Sequence, residues 1–173
     1  MEQNILNKNI WSAAGTAGLA LGAVSTAYLF AGQWISGDLA PAALWQSVIA
    51  IVLWTVKFAG CIWLMYHFMR KFAEENVGAH SKAVFRMGMA TALLSALMYS
   101  GIYLANMLYI SADYYNMVIQ MTLQQMRPAM DANSLAALDM VMDALPQITF
   151  FYNLIYCFLF GTVLSAIISR KIK

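Results

Sequence analysis

Lys57 is the side chain in this sequence best placed to do chemistry, because it interrupts an otherwise apolar run. It lies 13 residues before Arg70 and 12 after Trp45. In a helix 13 residues span roughly 20 Å at ~1.5 Å each, beyond the easy reach of a lysine stem toward water. An ammonium so deep in hydrocarbon costs at least ~2.5–3.5 kcal/mol. It therefore needs a partner, a wet cavity, an anionic ligand or loss of its proton. No Asp or Glu stands in the apolar runs, and the polar groups expected at comparable depth are Ser25, Tyr99, Asn153 and Tyr156. These five residues form a candidate polar or anion-binding site at mid-depth; the plainer alternative is a structural lysine donating to tyrosines and backbone carbonyls.

Other chemistry is thinly represented. Cys61 and Cys157 both fall in apolar runs, without a disulfide framework or zinc spacing, and are expected as buried structural thiols. His67 and His80 do not share a depth and a facing direction as a pair of haem ligands must. Six methionines (Met117, Met121, Met126, Met130, Met140, Met142) offer soft thioethers, but without a tight repeat they read as flexible apolar filler. No HExxH, phosphate loop or nucleophile elbow occurs. The expectation is a protein that is no enzyme and holds no metal or cofactor. A net charge of +2 with no basic patch argues against nucleic acid as a partner.

The elements that must position Lys57 follow from composition. Of 173 residues, 62% are hydrophobic and 10% charged, against about a quarter charged in a soluble domain. Four apolar stretches, at about 11–35, 43–69, 84–110 and 147–168, are each long enough to cross a bilayer, and only helices satisfy their own backbone there. The first is too long for a signal-peptide core despite the small residues Ala40-Pro41-Ala42 after it. The sequence thus predicts one all-α domain, an integral membrane four-helix bundle over residues 1–173. Eight of ten basic residues fall beside the N-terminus, between or at the facing ends of the second and third stretches, or after the fourth. The other loops carry Arg127 against Asp38, Asp113, Asp131, Asp139 and Asp143. That asymmetry predicts both termini in the cytoplasm.

Small residues mark the faces on which membrane helices approach. Gly15, Gly18 and Gly22 in the first span, Gly88 in the third and Gly161 in the fourth are the expected packing positions. The Gly18/Gly22 pair forms a GxxxG that also suits a second copy. On the second span, Ser47, Ala50, Trp54, Lys57, Cys61 and Leu64 line up as an inner face. Residues 111–146 have helical periodicity, so the third span is expected to run outward unbroken to Arg127. Pro128 ends it, a second helix capped by Asn133 or Ser134 follows, and Pro146 marks the start of the fourth span. Together these two segments predict an extracytoplasmic helical hairpin.

The run LMYHFMRKFAEENVGAHSKAVFRMG beginning at Leu64, the later DYYNMVIQMTLQQM and PQITFFYNLI, and the ending GTVLSAIISRKIK together resemble the family catalogued as domain of unknown function 4199. That resemblance implies a four-span protein of the inner membrane of Gram-negative bacteria and carries no activity. The expected role is a non-enzymatic accessory or scaffold subunit, with the lipid bilayer, another membrane protein or a further copy of the chain as partner. The alternative is a small carrier or flippase component for an anionic, polyprenyl-phosphate-linked substrate held by Lys57.

Overall fold

The computed structural model describes residues 2–35, 44–76, 81–126, 128 and 131–172. Ala40-Pro41-Ala42, Asp38, His80, Arg127 and Met130 lie outside these residues, as do the side chains of Trp45, Asn133, Leu135 and Asp139. Among the described residues the structure is all helical. Helix α1 runs Glu2–Ile35, α2 Leu44–Glu75, α3 Ser81–Ala105, α4 Ala112–Met126, α5 Ala132–Asp143 and α6 Leu145–Lys171, with a π-helical turn at Asn106–Ile110 between α3 and α4. Four segments are long and apolar enough to cross a membrane: Leu6–Ile35, Ser47–Glu75, Ser81–Ile110 and Leu145–Lys171. This is the bundle of four spans that the composition requires.

Helix α3 is the spine. It packs along α1 on one side and α6 on the other, while α2 leans mainly on α1. Glycines create both major seams. A Cβ at Gly18 would lie 2.8 Å from Leu94 Cβ, and one at Gly22 would meet Met98 Sδ at 2.6 Å. These pairs step forward together, so α1 and α3 are parallel and the GxxxG face is already covered by α3. On the other side a Cβ at Gly161 would meet Ala92 Cβ at 2.5 Å, and one at Gly88 would strike Ser165 and Met69. The register there is antiparallel. Ser165 Oγ donates to the Phe85 carbonyl at 3.0 Å, and Ser81 Oγ to the Ser169 carbonyl at 3.0 Å, locking the seam with contacts between neighbouring spans. Gly15 departs from expectation: nothing lies within 4 Å of its would-be Cβ, because the α1 stripe turns away from α3 one turn before Gly18.

The end of the bundle that gathers Lys8, Arg70, Lys71, Lys82, Arg86, Arg170 and Lys171 is the well-packed one. Ile10, Ala17, Leu21, Met65, Met69, Phe72, Val84, Met87 and Ile168 form a single core cluster there. Asn9 Nδ2 donates to Asn76 Oδ1 at 3.1 Å across the ends of α1 and α2. Arg70 and Lys71 pair with Glu74 and Glu75 one turn on, at 2.8 and 3.8 Å, exposed pairs of small energetic weight.

The opposite end differs from expectation in three ways. The third span does not continue unbroken into α4: Ser111 N donates to the Asn106 carbonyl at 2.8 Å, a five-residue step, and α4 restarts at Ala112. The cause is the fully buried Asn106 side chain, which accepts from Ser111 Oγ at 3.0 Å and so draws the chain into a wider turn. The cap of α5 is Asp131, whose carboxylate accepts from Ser134 N at 2.8 Å, two positions earlier than Asn133. Finally, Met117, Met121, Met126 and Met140 are exposed, so within this chain they fill no interface. Pro128 does follow the end of α4, and Pro146 sits in the first turn of α6, where its missing amide costs nothing.

Candidate functional site

Helix α2 changes character along its length. From Met65 to Phe72 its inner face is buried. From Ser47 to Val52 every residue is exposed, whichever way it points. The expected inner face therefore holds only from Lys57 toward the basic end, since Ser47, Ala50 and Trp54 meet nothing that buries them. The reason is steric. Helix α2 has one glycine in its middle, Gly60, and it faces open space. Phe58 meets Phe160 of α6 with centroids 4.9 Å apart, and Trp54 stacks on Phe58 at 5.1 Å. Here α2 meets α6 through rings, where glycines let the other helices approach by their backbones, and the stretch of α2 before this contact is left open on its inner side.

Lys57 sits at the edge of that gap, partly buried. Its ammonium lies 4.7 Å from the ring centroid of Tyr28 on α1 and 5.1 Å from that of Tyr99 on α3. A desolvated cation over an aromatic face gains up to ~2 kcal/mol, so two faces together are comparable to the ~2.5–3.5 kcal/mol insertion cost. The rings hold the charge without neutralising it. No carboxylate or other acceptor among the described residues takes its three N–H groups, since the ion pairs of the structure are those at the basic end.

The other four expected site residues divide. Tyr99 is one wall of the cage. Ser25 Oγ is 4.0 Å from Cys61 Sγ, one turn along α2 from Lys57. Cys157 on α6 lies within electrostatic range of both Lys57 and Cys61, and Asn153 is one turn above it, half-buried and without a side-chain hydrogen bond among the described residues. Tyr156 is not brought in: it is 54% exposed and stacks on the equally outward Tyr152 at 6.1 Å. Continuing the α3–α6 register brings Ser100 opposite Asn153, and Ser100 Oγ is fully buried with no hydrogen-bond partner among the described residues.

Sequence reasoning missed Tyr28, Tyr103 and Gln33. From Tyr99 the rings continue to Tyr103 and Tyr115, each step 6.1 Å between centroids. The Tyr115 hydroxyl accepts from Gln33 Nε2 at 2.9 Å and from Asn106 Nδ2 at 3.4 Å. Burial, with the Tyr103 hydroxyl beside it, pushes the Tyr115 phenol up to about 12, against the pull of Gln33 and Asn106. A column of polar tips thus joins the lysine cage to the π-helical turn. A signal existed for the column, the i, i+4 spacing of Tyr99 and Tyr103, but the partner on α1 depends on a register that no local pattern states.

Chemically, the arrangement presents a fixed cation beside donors and phenols. Among the described residues no three His, Cys, Asp or Glu side chains converge as a metal site. His67 stacks on Trp63 at 5.5 Å near the basic end, far along α2 from the cage. In comparisons with known proteins, residues 15–170 match the family described as "Protein of unknown function (DUF4199)". No curated protein and no solved structure matches.

Proposed function

This chain belongs to the DUF4199 family of proteins of unknown function, and on that premise we propose that it is a non-enzymatic accessory subunit of a membrane complex. Its address in this reading is the inner membrane of a bacterium, with both termini cytoplasmic, because the basic residues gather at the end holding the termini. The observation that carries the role is the bare stretch of α2. Six consecutive residues, Ser47 to Val52, are exposed on all sides, while the other half of the same helix is built into the core. Membrane helices associate by shape and polar contact rather than by hydrophobic force, so a side left open within the chain is a side at which another protein's helix fits.

A second reading, a carrier for an anionic lipid-linked substrate, draws support from Lys57 and the column above it. It is the weaker one, because Tyr115, Gln33, Asn106 and Ser111 spend their hydrogen bonds on one another. Site-specific photo-crosslinking in native membranes separates the two. A photoreactive residue at Val48 or Ile51 is expected to yield one discrete protein adduct, and the same residue at Val163 on α6 only lipid. Lipid adducts at all three positions contradict the accessory role. A double-mass adduct replaces it with self-association.

A further inference from the structure

We infer that the occupant of the α2 gap is a partner transmembrane helix carrying a carboxylate at the depth of Lys57. The inference rests on the accessory-subunit reading and names the chemistry of the partner.

Charge complementarity drives it. Ionisable groups inside membranes face the protein interior and pair with one another. Lys57 is turned inward, toward Tyr28 and Tyr99. Yet the only acids in the four spanning helices are those at the basic end, where Glu74 and Glu75 already pair with Arg70 and Lys71. The aromatic cage fixes the ammonium, and among the described residues no acceptor meets its donors. An ion fixed in advance loses little freedom when its counter-ion arrives.

The gap beside it suits a helix. Phe58 of α2 meets Phe160 of α6 ring to ring, and the stretch of α2 before this contact, from Ser47 to Val52, is uncovered. Ser47, Ala50 and Trp54, on the same face of α2 as Lys57, stand exposed in that half of the bundle. Asn153 of α6, one turn above Cys157, supplies an amide without a side-chain hydrogen bond among the described residues. Polar contacts of this kind fix the rotation of one membrane helix on another.

A phosphate from a lipid headgroup is the competing anion. It suits the site less well, because Lys57 lies 13 residues into α2, roughly 20 Å from its start at ~1.5 Å per residue. A headgroup would have to leave the interface to reach it, whereas a carboxylate in the middle of a helix is delivered at that depth by the helix itself.

The test uses the full chain in phosphatidylcholine vesicles at pH 8 with a dye-labelled transmembrane peptide of leucine and alanine. The peptide carries one central Glu, or Gln in its twin, and association is read by energy transfer to a dye on the chain. The wild type is expected to bind the Glu peptide about tenfold more tightly than the Gln peptide, the scale of a polar contact in a membrane. Lys57→Met should abolish the preference and Lys57→Arg should keep it. Equal association of the two peptides with the wild type overturns the inference, and does so even where Lys57→Met fails to fold. A preference that survives Lys57→Met also overturns it. Retention of phosphatidylglycerol through native mass spectrometry, lost in Lys57→Met and accompanied by no Glu preference, replaces the helix with a lipid phosphate. Crosslinks from Val48 and Ile51 with no Glu preference leave the accessory role standing and remove only the acidic partner.

Discussion

Gln33, near the end of α1, donates to the hydroxyl of Tyr115 on α4 at 2.9 Å, across 82 positions of chain. That bond and the one from Asn106 tie the segment beyond the third span back onto the bundle, so α4 is docked through a phenol. The phenol is raised to about 12, mainly by burial. A tyrosine whose folded value lies above its unfolded ~10 contributes stability that is complete below ~10 and lost as pH rises through about 12. Docking of α4 should therefore loosen between those limits. Absorbance of tyrosinate at 295 nm, followed with hydrogen exchange on α4, checks this. Tyr115→Phe should diminish the late titration step and, by losing two accepted bonds, destabilise the docked form by about 1–2 kcal/mol.

The two glycine seams differ from the glycines in open space. Gly161→Ala places a methyl 2.5 Å from Ala92 Cβ, and overpacking of this sort costs about 1–3 kcal/mol. Gly15→Ala and Gly32→Ala meet nothing within 4 Å and are expected to be neutral or stabilising by up to ~1 kcal/mol through helix propensity. Unfolding in mixed detergent micelles, with helicity as the signal, measures all three.

Asp131 caps α5 and its carboxyl is held below the usual range by the hydrogen bonds with Ser134. A depressed carboxyl contributes stability that is present above its unfolded value of about 3.9 and lost as pH falls through the folded one. Asp131→Ala should fray the first turn of α5 at neutral pH, as acid does in the wild type. Amide exchange at Ser134 reports both, and protection unchanged by the substitution would remove the cap from the account.

Lys57→Met should act in opposite directions on the isolated chain and on its assembly. Removing a mid-depth ammonium relieves part of an insertion cost of at least ~2.5–3.5 kcal/mol, less what the faces of Tyr28 and Tyr99 return. The purified variant is therefore expected to unfold at higher denaturant than the wild type while giving weaker crosslinks from α2. Greater stability together with full crosslinking would assign Lys57 no part in assembly.

Much of this was legible in the sequence, for reasons tied to particular residues. The spans, the end of α4 before Pro128 and the start of α6 at Pro146 follow from hydrocarbon length and the missing proline amide. Lys57 stood out because a bilayer makes one charge conspicuous. What escaped depended on tertiary register. Helix α6 is apolar on every side, so periodicity could not say that Tyr156 turns outward while Cys157 turns in. The stripe on α1 named Gly15, Gly18 and Gly22, but only the crossing with α3 selects the last two. The interruption at Asn106 needed knowledge that its amide is buried with a serine five residues on. The bare half of α2 is invisible in sequence, since residues 47–52 read the same whether they face lipid or a neighbour.

That bare half carries the account, and its exposure can be measured. A spin label at Ile51, with another at Met65 as a buried reference, reports accessibility to oxygen within the bilayer. If α2 is covered by a partner, the label at Ile51 should be open to oxygen in vesicles of the purified chain and shielded in native membranes, with Met65 shielded in both. Equal, high accessibility of Ile51 in the two preparations would contradict the accessory role.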